Sequence, residues 1–305
     1  MKINISQPYS FCQLGARSNQ EDARYPNSDM PQNPLPFFVV CDGVGGLDKG
    51  EVASRTVCES FARSLSDFDW TGKFEAPHFE EALQQAYDAL SKVVQKGTEE
   101  MATTMTFVGF HKGGATMAHI GDSRIYQIRP EVGIIYRSDD HSLVNALVRS
   151  GNITAEQVAG HPQSNFITRS MSYVETGKDY SPATLVHTID IMEGDYFLLC
   201  TDGVSDTVSE EELISIFEKD VADEQKCRDL AKQCEDSSDN NTAIFVKISN
   251  IETEDDDINE ELIEEGKTSS DTVAFRRQTD IAVEVGVKNK KSIGKKLSGL
   301  FKKIF

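Results

Sequence analysis

Two apolar stretches of this chain end in the same polar step, an aspartate followed by glycine and valine. Phe37–Cys41 leads into Asp42-Gly43-Val44, and Tyr196–Cys200 leads into Thr201-Asp202-Gly203-Val204. An apolar run of about five residues, rich in β-branched and aromatic types and closed by glycine, predicts a buried strand. Each aspartate then stands at a strand end, where glycine lets a backbone carbonyl approach a ligand. Two such ends predict a site for a hard cation.

Three further polar clusters lie at predicted strand boundaries: Glu21-Asp22, Gly121-Asp122-Ser123-Arg124 and Asp239-Asn240-Asn241-Thr242. With Asp42 and Asp202 they make five acidic clusters that have no neighbouring histidine or cysteine ligands. Magnesium and manganese prefer carboxylates, carbonyls and water, so these ions are expected and zinc is not. Converging carboxylates repel one another unless a cation neutralises them, and two cations can share a bridging carboxylate.

The composition predicts a cytoplasmic, globular protein. Hydrophobic residues make up 38% of the 305 positions, and no apolar run reaches the roughly 18 residues of a membrane span. Residues 1–15 lack the basic start and continuous apolar segment of a secretory signal. The six cysteines form no Cys-x-x-Cys pair, so we expect buried reduced thiols. A net charge of −19 argues against nucleic acid as a partner.

We expect residues 1–249 to form one domain of mixed strands and helices, because strand-like and helix-like patterns alternate there without a long structureless gap. Several strands follow one another directly between 103 and 137, which favours antiparallel sheets covered by helices over a simple strand-helix alternation. The spacing of apolar residues between 79 and 94 predicts a helix. Thr154 with Gln157, and Ser209 with Glu212, are typical capping boxes at helix starts. Strands are predicted at 36–41, 103–111, 114–120, 124–129, 133–137, 184–190, 195–200 and 242–248.

The ordered set of polar motifs resembles the metal-dependent protein serine/threonine phosphatases of type 2C, over residues 10 to 249. The segment from Gly151 to Arg169 is similar to the bacterial branch of that family. The motifs that carry the resemblance are Arg17-x-x-x-Glu21-Asp22, Asp42-Gly43-Val44-Gly45-Gly46, Gly121-Asp122-Ser123-Arg124, Asp140-His141-Ser142, Thr201-Asp202-Gly203-x-x-Asp206 and Asp239-Asn240.

The resemblance implies an α+β fold, a central antiparallel β-sandwich flanked by helices on both faces (α-β-β-α layers). It also implies a centre for two Mn²⁺ or Mg²⁺ ions at one end of the sandwich. Asp42 would bridge the two ions. Glu21 and the Gly43 carbonyl would complete the protein ligands of one ion, and Asp202 and Asp239 those of the other.

Further roles follow from the same resemblance. Arg17 would bind the substrate phosphate with its fork of donors, a geometry that lysine lacks. Asp122 would help Asp202 to hold a third, weaker ion. Asp22, Asp206 and Asn240 would orient the ligands from behind them.

The implied reaction is hydrolysis of phosphoserine and phosphothreonine by a water that the two ions activate, without a phosphoenzyme. Many eukaryotic relatives carry a histidine where this chain has Val44, so that residue's acid role does not transfer, and a metal-bound water is the expected proton donor. Ala102 and Met171 also depart from the family pattern. Residues 145–180 would form a flap beside the site. We interpret His141 as a hydrogen-bonding loop residue.

The remaining residues divide into two segments of opposite charge: a predicted acidic, disordered linker over 250–287 and a basic amphipathic tail over 288–305. Residues 250–265 carry nine acids, and residues 288–305 carry seven lysines and no acid. Three targets compete for the tail: an anionic membrane, a groove on a partner protein, or the chain's own acidic surface. We favour peripheral contact with the inner membrane surface or a partner protein. Arg276-Arg277-Gln278-Thr279 resembles a kinase site, but such short matches arise by chance.

The sequence therefore predicts a protein serine/threonine phosphatase whose partners are phosphoproteins and a cognate serine/threonine kinase or its substrates. Two alternatives stay open. A catalytically silent phosphoprotein-binding module would keep the fold but lack a ligand or the phosphate clamp, whereas Arg17, Asp42, Asp202 and Asp239 are all present. A two-metal nuclease or small-molecule phosphohydrolase could use similar carboxylates.

Overall fold

A computed structural model describes residues 1–44, 49–93, 101–158, 161–163, 166–174, 179–252 and 282–285. Antiparallel strands dominate this part of the chain. They are β1 (Lys2–Ile5), β2 (Tyr9–Gln13), β3 (Asp22–Tyr25), β4 (Phe37–Val44), β5 (Ala102–Thr103), β6 (Met105–His111), β7 (Gly114–Ile120), β8 (Arg124–Arg129), β9 (Gly133–Arg137), β10 (Met171–Ser172), β11 (Ala183–Thr188), β12 (Tyr196–Cys200), β13 (Asn241–Glu252) and β14 (Ala282–Val285).

The strands form two sheets. The first runs in the order β1-β13-β12-β8-β9, and β2 also pairs with β13. The second runs in the order β10-β5-β4-β6-β7-β11-β14, and β3 also pairs with β4. Strand β4 lies in the second sheet and β12 in the first, so the two Asp-Gly steps are brought together from opposite sheets.

The sandwich core explains why these strands read as continuous apolar runs. Along β4, Phe38 and Val40 pack in one buried cluster with Phe197 and Leu199 of β12. The alternate residues of each strand, such as Phe37 of β4 and Leu198 of β12, pack in separate outer clusters. Because successive side chains point to opposite faces and both faces are covered, every position is apolar.

Six α-helices are found in the described residues. The first, second, fifth and sixth of them form the outer layers. Val57 and Phe61 of the first helix and Leu83 of the second pack on the second sheet, and Leu213 and Phe217 of the fifth pack on the first sheet. The helices are α1 (Gly50–Leu65), α2 (Ala76–Val93), α3 (Leu143–Arg149), α4 (Asp202–Ser205), α5 (Glu210–Glu218) and α6 (Asp223–Gln233).

The predicted fold class is confirmed: an α+β protein with two antiparallel sheets between helical layers. The capping box of Ser209 and Glu212 begins α5. Thr154 and Gln157 instead begin a single 3₁₀ turn, Ala155–Gln157, in which the Thr154 amide donates to Gln157 Oε1 at 2.8 Å. The sequence analysis did not predict β1, β2, β3 or α1.

All six cysteines are free thiols; five are buried and Cys12 is half-buried. Strand β13 continues three residues beyond the predicted domain boundary at 249, to Glu252. Strand β14 falls within the predicted linker and pairs with β11. The rest of the linker and the tail over 288–305 lie outside the described residues. No helix among the described residues is both long and apolar enough to cross a membrane.

Candidate active site

A single groove of about 950 Å³ at one end of the sandwich collects almost every predicted site residue. Acidic side chains from both sheets face it together with three arginines, Arg17, Arg124 and Arg137. Of the ten predicted site residues, only Asp22 does not line the groove. The other nine are Arg17, Glu21, Asp42, Gly43, Asp122, Asp202, Asp206, Asp239 and Asn240.

Asp42 and Asp202 both line this groove. Burial raises the pKa of Asp42 well above its usual range, and the charges of Asp22 and Asp202 raise it further. Burial also raises the pKa of Asp202, and the charges of Asp239 and Asp206 add to that shift. Two carboxylates that line one groove repel each other as anions, because each disfavours ionisation of the other.

Glu21 is held by contacts to its backbone. Its amide donates to Asn240 Oδ1 at 2.8 Å, and its carbonyl accepts from the Ser54 hydroxyl at 2.5 Å and the Gly43 amide at 3.1 Å. Asn240 also donates to the carbonyls of Leu14 and Asn19. Asn240 therefore joins the loop before β3 to the start of β13.

Gly43 has no room for a side chain. A Cβ atom there would lie 2.2 Å from the Gly50 carbonyl oxygen and 2.6 Å from that of Glu21. Any larger residue would push apart the end of β4, the start of α1 and the loop that carries Glu21. Glycine at this position is thus a requirement of close backbone packing at the groove.

Asp22 lies behind the groove. Register pairs it with Asp42 across β3 and β4, and its Oδ2 accepts from the Thr201 hydroxyl at 3.0 Å. Burial raises the pKa of Asp22 to about 7, and the hydrogen bond from Thr201 opposes the shift. Thr201 directly precedes Asp202, so this carboxyl braces the second Asp-Gly step.

Arg17 meets Asp239 at the rim of the groove. Its Nη2 donates to Asp239 Oδ2 at 2.5 Å, and the Arg17 side chain is 53% exposed.

Asp206 is held by its backbone amide, which donates to the Asp202 carbonyl at 2.7 Å. Burial raises the pKa of the Asp206 carboxyl.

Asp122 lies at the turn between β7 and β8. Burial raises its pKa to about 7, and the charges of Asp202 and Asp140 add to the effect. Arg124 donates two hydrogen bonds to Asp140, from Nε at 2.8 Å and Nη2 at 2.7 Å. This bidentate pair fixes the Arg124 guanidinium beside Asp140.

The sequence analysis missed three residues that hold the ligands in place. The Asp42 amide donates to the Thr104 hydroxyl at 2.9 Å, and the Thr103 hydroxyl donates to the Asp42 carbonyl at 2.8 Å. Ser54, on α1, bonds the Glu21 carbonyl. The adjacent Thr103-Thr104 pair was visible in the sequence, but its partner Asp42 is some sixty residues away and only the β4 to β5 pairing brings them together.

The donor set of the groove fits hard divalent cations. The Asp202 Oδ1 atom is buried, and no amide or hydroxyl of the described residues donates to it. Oxygen donors crowd the site without histidine or cysteine, which suits Mg²⁺ or Mn²⁺. Within the described ranges, no three acidic, histidine or cysteine side chains already converge closely enough to enclose an ion.

The sequence of this chain is similar to a known protein family and to individual members of it. A family model described as Protein phosphatase 2C matches residues 17–238. The chain is 30% identical over 249 residues to protein phosphatase PhpP of Streptococcus pneumoniae, covering 78% of this chain and 95% of PhpP. It is 32% identical over 205 residues to serine/threonine protein phosphatase PstP of Mycobacterium tuberculosis, covering 67% of this chain but 38% of PstP.

Solved structures agree with the sequence matches. The crystal structure of the Mycobacterium tuberculosis phosphatase PstP/Ppp superimposes with a TM-score of 0.69 at 28% identity, covering 81% of this chain and all of that one. A structure of the PstP catalytic domain in complex with two manganese ions superimposes with a TM-score of 0.65 at 26% identity, covering 81% of this chain and 99% of that one.

Proposed function

This chain belongs to the protein phosphatase 2C family, the serine/threonine protein phosphatases, and from that premise we propose how it works. It hydrolyses phosphoserine and phosphothreonine side chains of proteins by a single displacement with water, without a phosphoenzyme. The observation that supports this proposal is the shared groove. Candidate cation ligands from both sheets and an exposed arginine line it together.

Five protein groups would hold two cations. Asp42 would contribute to both, Glu21 and the Gly43 carbonyl would hold one, and Asp202 and Asp239 would hold the other. Two Mn²⁺ or Mg²⁺ ions, when bound, supply a water of lowered pKa as nucleophile and offset the charge of the phosphoryl group. Asp122 with Asp202 is proposed to hold a third, weaker ion.

The chain's own residues position the substrate and the ligands. Arg17 directs its guanidinium donors at the phosphoryl oxygens, since a planar fork matches two oxygens at once. Asn240 sets the loop that carries Glu21, and Thr104 fixes the Asp42 backbone. Asp22 braces Thr201 beside Asp202. The barrier is then lowered mainly by positioning and by charge that is already in place.

Phosphate release from a phosphothreonine peptide tests the proposal. We expect release by the full chain in the presence of Mn²⁺, loss of release with a chelator, and loss with Asp42→Asn. The asparagine keeps the volume of the side chain but removes the charge that would face both ions. We expect kcat to fall by at least about 10²-fold, the scale of losing one electrostatic stabiliser of a transition state.

The controls separate the alternatives. Arg55→Lys alters an exposed pair with Glu51 on α1 and should leave release unchanged. A folded, Mn²⁺-supplied wild type that releases no phosphate would instead support the phosphoprotein-binding module. Faster release from nucleotides or phosphodiesters than from the phosphopeptide would support the nuclease or small-molecule alternative.

We further propose a division into a catalytic domain, an acidic segment up to 287 and a basic tail over 288–305, with the predicted boundary at 249 moved to the end of β13 at Glu252. A cytoplasmic location is also proposed. Phosphoproteins and a cognate serine/threonine kinase, or its substrates, are the proposed partners. The basic amphipathic tail at 288–305 is proposed to dock on an anionic membrane surface or a partner protein. Its pattern of apolar and lysine residues supports this proposal.

A further inference from the structure

His141 stands where the groove, the flap and the second sheet meet. It is buried, with 4% of its surface exposed, in the loop between β9 and α3. Its amide donates to the Gly121 carbonyl at 2.9 Å, and its ring Nδ1 accepts from the Gly121 amide at 3.2 Å. One residue thus satisfies both backbone polar groups of Gly121.

Gly121 sets the position of Asp122, the next residue. Its φ is +104°, and a Cβ atom there would lie 2.6 Å from Thr104 Cγ2. Thr104 in turn bonds the Asp42 amide and the Ser123 hydroxyl, at 2.9 and 2.7 Å. The turn that carries Asp122 is therefore held between Thr104 on one side and His141 on the other.

His141 holds the flap with its remaining polar groups. Its carbonyl accepts from the Thr168 amide at 2.6 Å and from the Thr168 hydroxyl at 2.9 Å. The next residue, Ser142, forms a β-bridge with Ile167, which lines the groove. The ring Nε2 lies 2.9 Å from the Thr184 hydroxyl on β11.

The ring keeps a single hydrogen-bonding pattern. Because Nδ1 accepts from the Gly121 amide, Nε2 carries the proton and donates to Thr184 at 2.9 Å. Arg169 Nη1 lies farther from Nε2, at 3.5 Å, and cannot donate to it in this tautomer. Burial lowers the pKa of His141 to about 3, and the His119 ring, stacked at a centroid distance of 4.4 Å, and the charges of Arg169 and Arg149 add to the shift. The neutral ring is therefore a constant structural joint and does not act as a proton donor near pH 7.

We propose that His141 is a positioning residue that ties the Gly121-Asp122 turn of the groove to the flap segment at 166–168. Its Nδ1 holds the turn through the Gly121 amide, and its carbonyl holds the flap segment through Thr168. The distance between the Asp122 side of the groove and the flap side is thereby fixed. This inference rests on the proposed function, because it assigns the spacing to the phosphatase groove.

Two isosteric substitutions separate the two ring contacts. His141→Asn places an amide near the position of Nδ1, where its oxygen can accept from Gly121. His141→Gln reaches toward Thr184 but offers no acceptor at the Nδ1 position. We expect amide hydrogen exchange at Gly121, measured without cations, to quicken about five- to tenfold in His141→Gln, the value of one hydrogen bond. In His141→Asn it should stay near the wild-type rate.

Kinetics with Mn²⁺ and the phosphothreonine peptide should follow the same order. We expect kcat/KM to fall about tenfold in His141→Gln and much less in His141→Asn, because one hydrogen bond to the turn is lost in the first and kept in the second. His111→Gln, at an equally buried histidine far from the groove, should lower thermal stability without changing kcat or KM.

Equal exchange and equal kinetics in the Asn and Gln variants, whether both normal or both impaired, would overturn the proposal. A wild type that releases no phosphate would overturn the proposed function alone, because the exchange measurement still decides the role of His141.

Discussion

At the scale of single residues, the groove is built from groups whose backbones are held more tightly than their side chains. Hydrogen bonds fix the backbones of Glu21 and Asp42 through Asn240, Ser54 and Thr104. The carboxyl groups themselves are crowded, and burial raises the pKa of Asp42 and Asp202. Because hydrogen bonds to the backbone hold these residues in place, their carboxyl groups can lie close together without each needing an ion pair of its own.

Arg17 gives a prediction at this scale. We expect Arg17→Lys to raise KM for the phosphothreonine peptide about tenfold, because lysine keeps the charge but loses the planar fork. Arg17→Ala should lower kcat/KM further, by about 10²-fold, since it removes a charged hydrogen bond altogether. Steady-state kinetics on both variants provide the measurement. An Arg17→Lys variant with wild-type KM would contradict the bidentate role.

At the scale of elements, neighbouring strands of the second sheet enclose a second buried histidine. His111 on β6 lies 3.0 Å, through Nε2, from the Thr116 hydroxyl on β7, and its Nδ1 accepts from the Gly113 amide at 3.1 Å. Its ring stacks on His187 of β11 at 5.3 Å. Burial lowers the pKa of His111 to about 4, and His187, His78 and Lys73 add positive charge that lowers it further.

This environment predicts an acid-dependent stability. His111 takes up a proton below about pH 6.5 in the unfolded chain but only below about pH 4 in the folded chain. The contribution of the neutral ring to the free energy of unfolding is therefore complete above pH 6.5 and falls as the pH drops from 6.5 toward 4. Replacing His111 with Asn should reduce the loss between pH 7 and pH 5 by about 2 kcal/mol.

Urea unfolding at a series of pH values measures this effect. Thr116→Val is the matched control, because it removes the hydroxyl partner of the ring but leaves the ring to titrate. It should lower stability at every pH while keeping the wild-type slope. Identical slopes in His111→Asn and wild type would show that other groups cause the acid loss.

At the scale of the whole molecule, charge is divided between a catalytic domain and the segments that follow it. The described domain ends with β13, and the one described piece beyond it is β14, which pairs with β11 at the edge of the second sheet. The acidic run near 250–265 and the lysines of 288–305 differ in sign. A short basic amphipathic segment of this kind suits reversible attachment to an anionic surface.

Deletion of residues 288–305 tests the proposed attachment. We expect the full chain to co-sediment with liposomes that contain anionic lipid, and the deletion variant to stay largely in the supernatant. Seven lysines at roughly 1 kcal/mol each near an anionic leaflet are sufficient for reversible binding. Added salt should release the full chain, because exposed charges are screened. Sedimentation unaffected by the deletion would rule out the membrane and leave a partner protein or the chain's own acidic surface as the target of the tail.

The sequence by itself indicated the two Asp-Gly strand ends and antiparallel sheets covered by helices, and its resemblance to a known family implied the layered fold class and most of the candidate ligands. The strand ends are local signals, because a buried strand must be continuously apolar and its charged end must stop it. Only the tertiary structure decided that Thr104 anchors Asp42, that Arg17 meets Asp239 and that His141 joins the flap to Gly121. Those contacts link residues far apart in the chain, and strand pairing and register, which no local pattern encodes, bring them within hydrogen-bonding distance.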